Sequence, residues 1–250
     1  MKNKKLQLLV VFLWSFIVSM GQKWEPDMVL VEGGKFKMGS EEGDNDETPV
    51  YELQVGDFYI SKTEITVGQY REFCNKTSRQ MPDPPVWGWH DDYPMTHVTW
   101  SDAGAYCLWL SNTTTKKYRL PMEKEWEYAA KGGNKSQKYL FSGSNTVDDV
   151  AWFYETTYGS GPQPVGKMKG NELGISDMSG NVWEWCKDSY TLQYFNTSSP
   201  NTKGASGENY RVIRGGAWNS SAYHNRITNR DRNIPNSAND NTGFRVVRYE

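Results

Sequence analysis

The chain has 250 residues and a formal net charge of −2 at pH 7, so its overall electrostatics do not favour nucleic-acid binding. Aromatic residues make up 14% of the sequence, including 11 Trp, and 23 residues are Gly. This composition excludes a chain that is disordered over most of its length, because disordered segments are poor in aromatic residues. It favours a loop-rich domain whose irregular segments are held by large rings.

The first residues have the pattern of an export signal. Lys2, Lys4 and Lys5 form a basic segment, and residues 6–20 follow as a mostly apolar run. This run is shorter than the roughly 20 residues that a membrane-spanning helix needs. The pattern predicts a signal peptide over residues 1–21, a secreted or periplasmic protein, and no membrane span after cleavage. An uncleaved N-terminal anchor is the alternative.

Short strands are predicted next along the chain. Residues 28–38 alternate between apolar and polar types around Gly33 and Gly34, which predicts a hairpin. The acidic loop 41–47 that follows is typical of a solvated surface. Residues 51–60 predict another strand.

Helices are predicted over residues 66–75, 101–111 and 118–132. Thr66 and Ser101 are candidate N-caps for the first two. Pro121 suits the first turn of the third helix, and Gly132 suits its C-terminal end. Short strands and loops follow, so the elements together predict a mixed α+β domain with much irregular structure.

The sequence has three cysteines, Cys74, Cys107 and Cys186. In an exported protein this odd number requires a free thiol or an intermolecular bond. Cys74 and Cys107 lie in predicted helices, and the sequence leaves open whether they pair, because pairing needs Cα atoms within about 7 Å. No cysteine has a neighbour at metal-ligand spacing, so zinc is not favoured.

Seven segments form an ordered set along the chain, namely residues 28–40, 63–75, 94–111, 118–133, 171–188, 211–221 and 241–248. Their most specific blocks are RLPMEKEWEYAA, GNVWEW, RGGAW and GFR. In combination they resemble the formylglycine-generating enzyme family, also called the sulfatase-modifying factor domain. The resemblance implies one compact C-type-lectin-like domain over residues 25–250, of a kind commonly steadied by calcium.

The resemblance also implies a chemistry and shows a departure from it. Active members of the family oxidise a cysteine of a nascent sulfatase to formylglycine, with molecular oxygen and a copper ion held by two cysteines. Those two positions are Ser220 and Asn225 in this sequence. Copper(I) requires soft thiolate ligands, so copper is not expected and no catalytic residue is assigned.

This departure favours a non-catalytic binding or scaffold module of the cell envelope, a pseudoenzyme with a protein or peptide partner. The alternative is an enzyme, either a formylglycine-generating oxidase that uses another ligand set or a different reaction in the same cleft. Fold alone does not decide between them, because function depends on the site.

The resemblance implies a structural calcium site in the GNVWEW region. Carried over position by position, its ligands are the side chains of Asp177 and Glu184 and the carbonyls of Gly180 and Val182. Calcium prefers hard oxygen ligands, and a short turn containing Gly can direct carbonyls inward. The alternative is a turn capped by Asp177, with Glu184 in a surface ion pair.

Basic residues near the C-terminus suggest a second type of site. Arg214, His224, Arg226 and Arg230 could line a groove for an anionic or peptide ligand, because guanidinium groups recognise carboxylates and phosphates. Internal ion pairing is the competing interpretation.

Overall fold

The structure is a computed structural model that describes residues 24–192 and 210–249. The predicted signal peptide lies outside these residues. Within the described ranges, no helix has the length and apolar character needed to cross a membrane.

The described strands and helices follow one another along the chain without a repeated unit. In order they are β1 (Met28–Val31), β2 (Gly34–Met38), β3 (Tyr51–Val55), β4 (Phe58–Ser61), α1 (Val67–Thr77), α2 (Trp100–Thr114), β5 (Lys117–Arg119), α3 (Glu123–Ala130), α4 (Tyr154–Thr157), β6 (Trp183–Ser189), β7 (Arg211–Arg214), β8 (Arg230–Asn233), β9 (Thr242–Gly243) and β10 (Val247–Tyr249). The predicted mixed α+β class with much irregular chain is confirmed.

The strands within residues 24–192 and 210–249 form two four-stranded sheets and one two-stranded ribbon. The first sheet has the order β1–β4–β10–β5, so a strand from near the C-terminus lies between two from the N-terminal half. The ribbon consists of β2 and β3, which pair antiparallel. The second sheet has the order β8–β7–β6–β9, with β6 and β9 parallel.

The predicted hairpin over residues 28–38 is wrong. β1 pairs with β4, in the register Met28 opposite Ser61, while β2 pairs with β3. At Gly33 and Gly34 the chain passes from the first sheet to the ribbon, and a Cβ on Gly33 would lie 2.5 Å from the Val55 carbonyl oxygen. Residues 51–60 accordingly form two strands rather than the single strand predicted.

The first predicted helix is confirmed with its cap. The Thr66 hydroxyl accepts from the Gln69 amide at 3.2 Å, and the Gln69 side chain accepts from the Thr66 amide at 2.9 Å. This reciprocal pair satisfies two amides that the first turn would otherwise leave without a partner.

The start of the second helix differs from the prediction. Thr99, not Ser101, caps α2, because Thr99 and Asp102 make the same reciprocal pair of bonds at 3.1 and 3.2 Å. The third helix is shorter than predicted, since Tyr118 belongs to β5 and α3 begins at Glu123. Gly132 follows α3 with a positive φ of 85°, as its stop role requires.

Aromatic side chains fill the core on both sides of the second sheet. Trp126 from α3 and Trp185 from β6 are fully buried. Tyr70 and Phe73 from α1 pack on Tyr106 from α2, with ring centroids 5.1 to 6.0 Å apart within this group. Such packing holds irregular segments in place where long helices or strands are absent. It also places the GNVWEW block in the centre of the molecule.

Candidate functional site

The centre of the molecule contains a buried ion pair. Glu184, in β6, accepts from Arg245 at 2.6 Å on Oε2 and at 2.7 Å on Oε1. The indole of Trp126 also donates to Glu184 Oε2 at 2.7 Å. Burial alone would lower the pKa of Arg245, but the Glu184 carboxylate raises it. Both oxygens of Glu184 are therefore engaged within the fold.

Two further carboxyl groups lie beside this ion pair. Asp177 Oδ2 accepts from the Gly166 amide at 2.6 Å, but no donor reaches Asp177 Oδ1 or either oxygen of Glu64, and the Glu64 carboxyl group lies within hydrogen-bonding reach of Asp177. Burial raises the pKa of Glu64 well above its usual range, and the negative charges of Asp177 and Glu184 raise it further. Burial also raises the pKa of Asp177.

The charge balance of this cluster is unfavourable when all four groups are ionised. Three carboxylates, on Glu64, Asp177 and Glu184, face the single cation of Arg245. An uncompensated buried charge is costly, so protons or a bound cation must supply the missing positive charge. Three carboxylate oxygens without partners are available to receive it.

The predicted calcium ligands fit this geometry only in part. Asp177 offers an oxygen without a partner, whereas Glu184 has both oxygens bound to donors. Glu64, which sequence reasoning missed, offers two more hard oxygens of the type calcium prefers. Throughout residues 24–192 and 210–249, no group of three or more His, Cys, Asp or Glu is arranged to hold a metal ion.

The positions of the family thiolates lie in the segment after β7, with Ser220 in a turn and Asn225 at the end of the 3-10 helix Ala222–Asn225. Ser220 Oγ accepts from the Ala217 amide at 3.2 Å. Asn225 is fully buried, and its amide nitrogen donates to the Ser221 carbonyl at 2.7 Å. Its Oδ1 faces Gly216, where an added Cβ would lie 2.3 Å away, so only glycine fits that position.

No cysteine of the chain replaces the missing pair. Cys74, Cys107 and Cys186 are all buried with free thiols, on α1, α2 and β6. Burial raises the pKa of Cys107 to about 12 and raises that of Cys186 well above its usual range. These thiols are therefore protonated at neutral pH and lack the thiolate character that copper binding needs.

The turn that carries Ser220 is supported by two neighbouring segments. The Tyr154 amide at the start of α4 donates to the Ser220 carbonyl at 3.0 Å. Thr157, at the end of α4, donates to the Trp218 carbonyl at 2.7 Å. On the other side, the ring of Trp87 packs against Trp218 with centroids 5.4 Å apart.

Exposed apolar side chains stand on these two supporting segments. Val86 is fully exposed, Tyr158 is 85% exposed and Tyr154 is 54% exposed. We call Val86, Trp87, Tyr154, Tyr158 and Ser220 the Ser220 surface. These exposed apolar groups lie on segments that contact the turn with Ser220, which makes them a candidate interaction surface.

The arginines predicted to line a ligand groove are buried instead. Arg230 donates to Glu123 at 2.6 and 2.9 Å, and Arg214 donates to Glu127. Both guanidinium groups are almost completely buried. The structure therefore shows internal ion pairing, the interpretation that competed with a groove in the sequence.

Arg226 is paired in the same way and corrects the prediction for the acidic loop. It donates to both oxygens of Glu47, at 2.7 and 3.1 Å. Burial would raise the pKa of Glu47, but the hydrogen bond from Arg226 leads to a net lowering. Glu47 is thus part of the core and not of a solvated face. His224 is exposed, and its ring nitrogen lies 3.0 Å from the Ser221 hydroxyl.

Comparison with known proteins agrees with this architecture. The family model described as "Sulfatase-modifying factor enzyme 1-like domain" matches residues 17–250. The chaperone protein LppX of Paenibacillus barcinonensis is 34% identical, over 89% of each chain. The inactive C-alpha-formylglycine-generating enzyme 2 of Mus musculus is 29% identical, over 95% of this chain and 92% of its own.

A solved structure shows the same fold over nearly the whole molecule. PvdO from Pseudomonas aeruginosa superposes with a TM-score of 0.78 and 27% identity, over 91% of this chain and 96% of its own. Together with the GNVWEW, RGGAW and GFR blocks and their central position, these matches settle the family. The chain belongs to the sulfatase-modifying factor enzyme 1-like domain family.

Proposed function

We propose that this protein is a non-catalytic member of its family that binds a protein partner in the cell envelope. The observation that carries the proposal is the presence of Ser220 and Asn225 at the two thiolate positions, with every cysteine of the chain buried elsewhere. A hydroxyl and an amide do not replace two thiolates around copper(I). Two of the relatives also support a non-catalytic role, since one is named inactive and the other is named a chaperone.

The Ser220 surface is the place where we expect the partner to bind. It combines exposed tyrosines with a turn held by backbone hydrogen bonds, so the contact groups are preorganised. Tyrosine supplies a large contact area at a low cost in side-chain entropy, which suits a protein interface.

The proposal has two further parts. The protein is exported, and it holds a structural cation. Export rests on the basic segment and short apolar run at the N-terminus. The cation is calcium, bound next to Asp177, and it neutralises the excess of buried carboxylates. Support for it comes from the unpartnered oxygens of Asp177 and Glu64.

An activity assay tests the central claim. The purified protein is incubated with a cysteine-containing sulfatase peptide, copper and a reductant, and the peptide is analysed by mass spectrometry. We expect no conversion of thiol to aldehyde. Conversion by the wild-type protein would show that it is an enzyme and would overturn the proposal.

A binding assay tests the surface. The variant Val86→Ser/Tyr158→Ser changes two exposed side chains and leaves the core intact. Co-purification from the periplasmic or secreted fraction should recover a partner with the wild type and lose it with this variant. The control is Leu108→Ser, which alters an exposed apolar side chain on α2. Equal loss with the control would argue against the Ser220 surface.

A further inference from the structure

A cleft separate from the Ser220 surface lies between the β2–β3 ribbon and the segment that follows α3. It is a cleft of about 1050 Å³. The cleft is lined by lysines together with apolar and aromatic side chains. The lysines are Lys35, Lys37, Lys131 and Lys138, and the apolar side chains include Phe36 and Leu140. No residue of the Ser220 surface lines it, so it is independent of the proposed function.

The floor of the cleft is aromatic and well supported. The rings of Phe36 and Tyr128 pack with centroids 5.1 Å apart. The Lys131 ammonium lies 5.7 Å from the Phe36 centroid and pairs with Glu127 at 2.7 Å. It also donates to the Lys37 carbonyl at 2.7 Å, which ties β2 to the end of α3. This lysine therefore stabilises the floor.

The rim of the cleft offers positive charge for a ligand. Lys37 and Lys138 are exposed and form no ion pair within the described residues. Lys138 has a φ of 60°, a region that non-glycine residues rarely occupy, so its backbone is held in an uncommon conformation at the rim. Lys35 pairs with Glu52 at 3.7 Å, but both side chains are mostly exposed and such pairs exchange partners at little cost.

The composition of the cleft determines which ligand it fits. Lys131 is paired with Glu127 and Lys35 with Glu52, which leaves Lys37 and Lys138 facing Glu42 around an apolar floor beside the half-exposed Leu140. Separate ammonium groups are point charges, whereas phosphate recognition favours arginine forks or converging backbone amides. Dispersed positive charge around an apolar floor complements a ligand that alternates carboxylates with apolar groups.

We infer that this cleft binds an acidic polypeptide segment of a partner, with its carboxylates on Lys37 and Lys138 and an apolar side chain on Phe36 and Leu140. The long-range attraction depends on charge, so the binding weakens as salt screens it. The contact of an apolar side chain with Phe36 and Leu140 makes the cleft prefer acidic segments that also carry apolar residues.

Fluorescence anisotropy on the full chain tests this inference. The probe is a labelled octapeptide of alternating Glu and Leu, compared with the same peptide carrying Gln for Glu. We expect the Glu peptide to bind about tenfold more tightly at low salt. The variant Lys37→Glu/Lys138→Glu should abolish that preference, and Leu140→Ser should weaken both peptides.

The matched control is Lys167→Glu, which reverses an exposed lysine that does not line the cleft. It should keep the affinity within twofold of the wild type. Equal binding of the Glu and Gln peptides, or equal loss with the control, would overturn the inference. Tighter binding of an acidic polysaccharide such as polygalacturonate than of the Glu peptide, lost in the same double variant, would reject a polypeptide as the occupant.

Discussion

Arg245 donates to both carboxylate oxygens of Glu184, and both residues are fully buried. The same guanidinium donates to the carbonyls of Ser61 and Ser176, at 3.0 and 2.9 Å. One side chain thus connects β4, the segment before β6 and β6 itself. Its position between sheets makes it a structural residue rather than part of a ligand site.

Loss of that arginine should destabilise the fold strongly. Arg245→Met leaves Glu184 charged and buried, and removal of one partner of a buried pair costs about 3–5 kcal/mol. The control is Arg71→Met, which breaks an exposed pair with Asp91 and should cost at most about 1 kcal/mol. Urea unfolding measures both values, and comparable losses would contradict the assignment.

Calcium should stabilise the protein through the unpartnered carboxylates. A hundredfold excess of calcium over Kd raises the free energy of unfolding by about 2.7 kcal/mol if only the folded state binds. EDTA should therefore lower the melting temperature, and Asp177→Asn or Glu64→Gln should remove the difference. Glu184→Gln discriminates the two ligand sets, because its calcium response persists only if Glu64 supplies the carboxylate. Melting curves that EDTA leaves unchanged would reject the site.

Cysteines placed back at positions 220 and 225 should show whether the protein lacks only the copper ligands or also the geometry that would hold them. The wild type should not bind copper(I), whereas Ser220→Cys/Asn225→Cys offers two soft ligands. We expect copper(I) binding by the double variant, measured by competition with a chromophoric chelator. Each single variant serves as a control and should bind much more weakly. Failure of the double variant would mean that the turn after β7 no longer positions two ligands.

Asp188 should make stability depend on pH. Burial, followed by the negative charge of Glu123, raises its pKa from 3.8 to about 6. The unfolded chain loses this proton near pH 4, and the folded chain keeps it until about pH 6. The free energy of unfolding should therefore fall as pH rises from 4 to 6.

The variant Asp188→Asn isolates this effect. It keeps an oxygen that can accept from the Glu123 amide, a bond of 2.8 Å in the wild type. Because the side chain is partly exposed, we expect the variant to gain about 1–2 kcal/mol relative to the wild type between pH 4 and 6. Chemical unfolding across that range measures the difference, and parallel pH profiles would refute it.

Export should remove the first 21 residues. The basic segment and short apolar run predict cleavage near residue 21. N-terminal sequencing of the mature protein checks this, with cell fractionation as the companion measurement. A chain that begins at Met1 in the membrane fraction would support the uncleaved anchor instead.

Local signals in the sequence predicted local structure well. Thr66 is of a residue type that caps helices, and the partner that the structure gives it, Gln69, lies only three residues away. The error at Ser101 is also local, because the true cap, Thr99, lies only two residues earlier and has its partner in Asp102. The false hairpin arose because alternation reveals a strand but not its pairing partner.

The missed parts of the candidate site depend on contacts between distant residues. Glu47 and Arg226 are 179 positions apart, so an acidic loop was predicted to be solvated although its last residue is buried. Glu64 was missed because a single acidic residue after a strand is usually at the surface. Its burial becomes evident only when the segments that contain Asp177 and Arg245 are placed beside it.

The position of β10 bears on the order in which the fold can form. β10 lies between β4 and β5, so the first sheet remains split until residues 247–249 join it. Contacts over such sequence separations form slowly and late in folding. β1 and β4 can pair before this step, but the first sheet is completed only when β10 takes its place between β4 and β5.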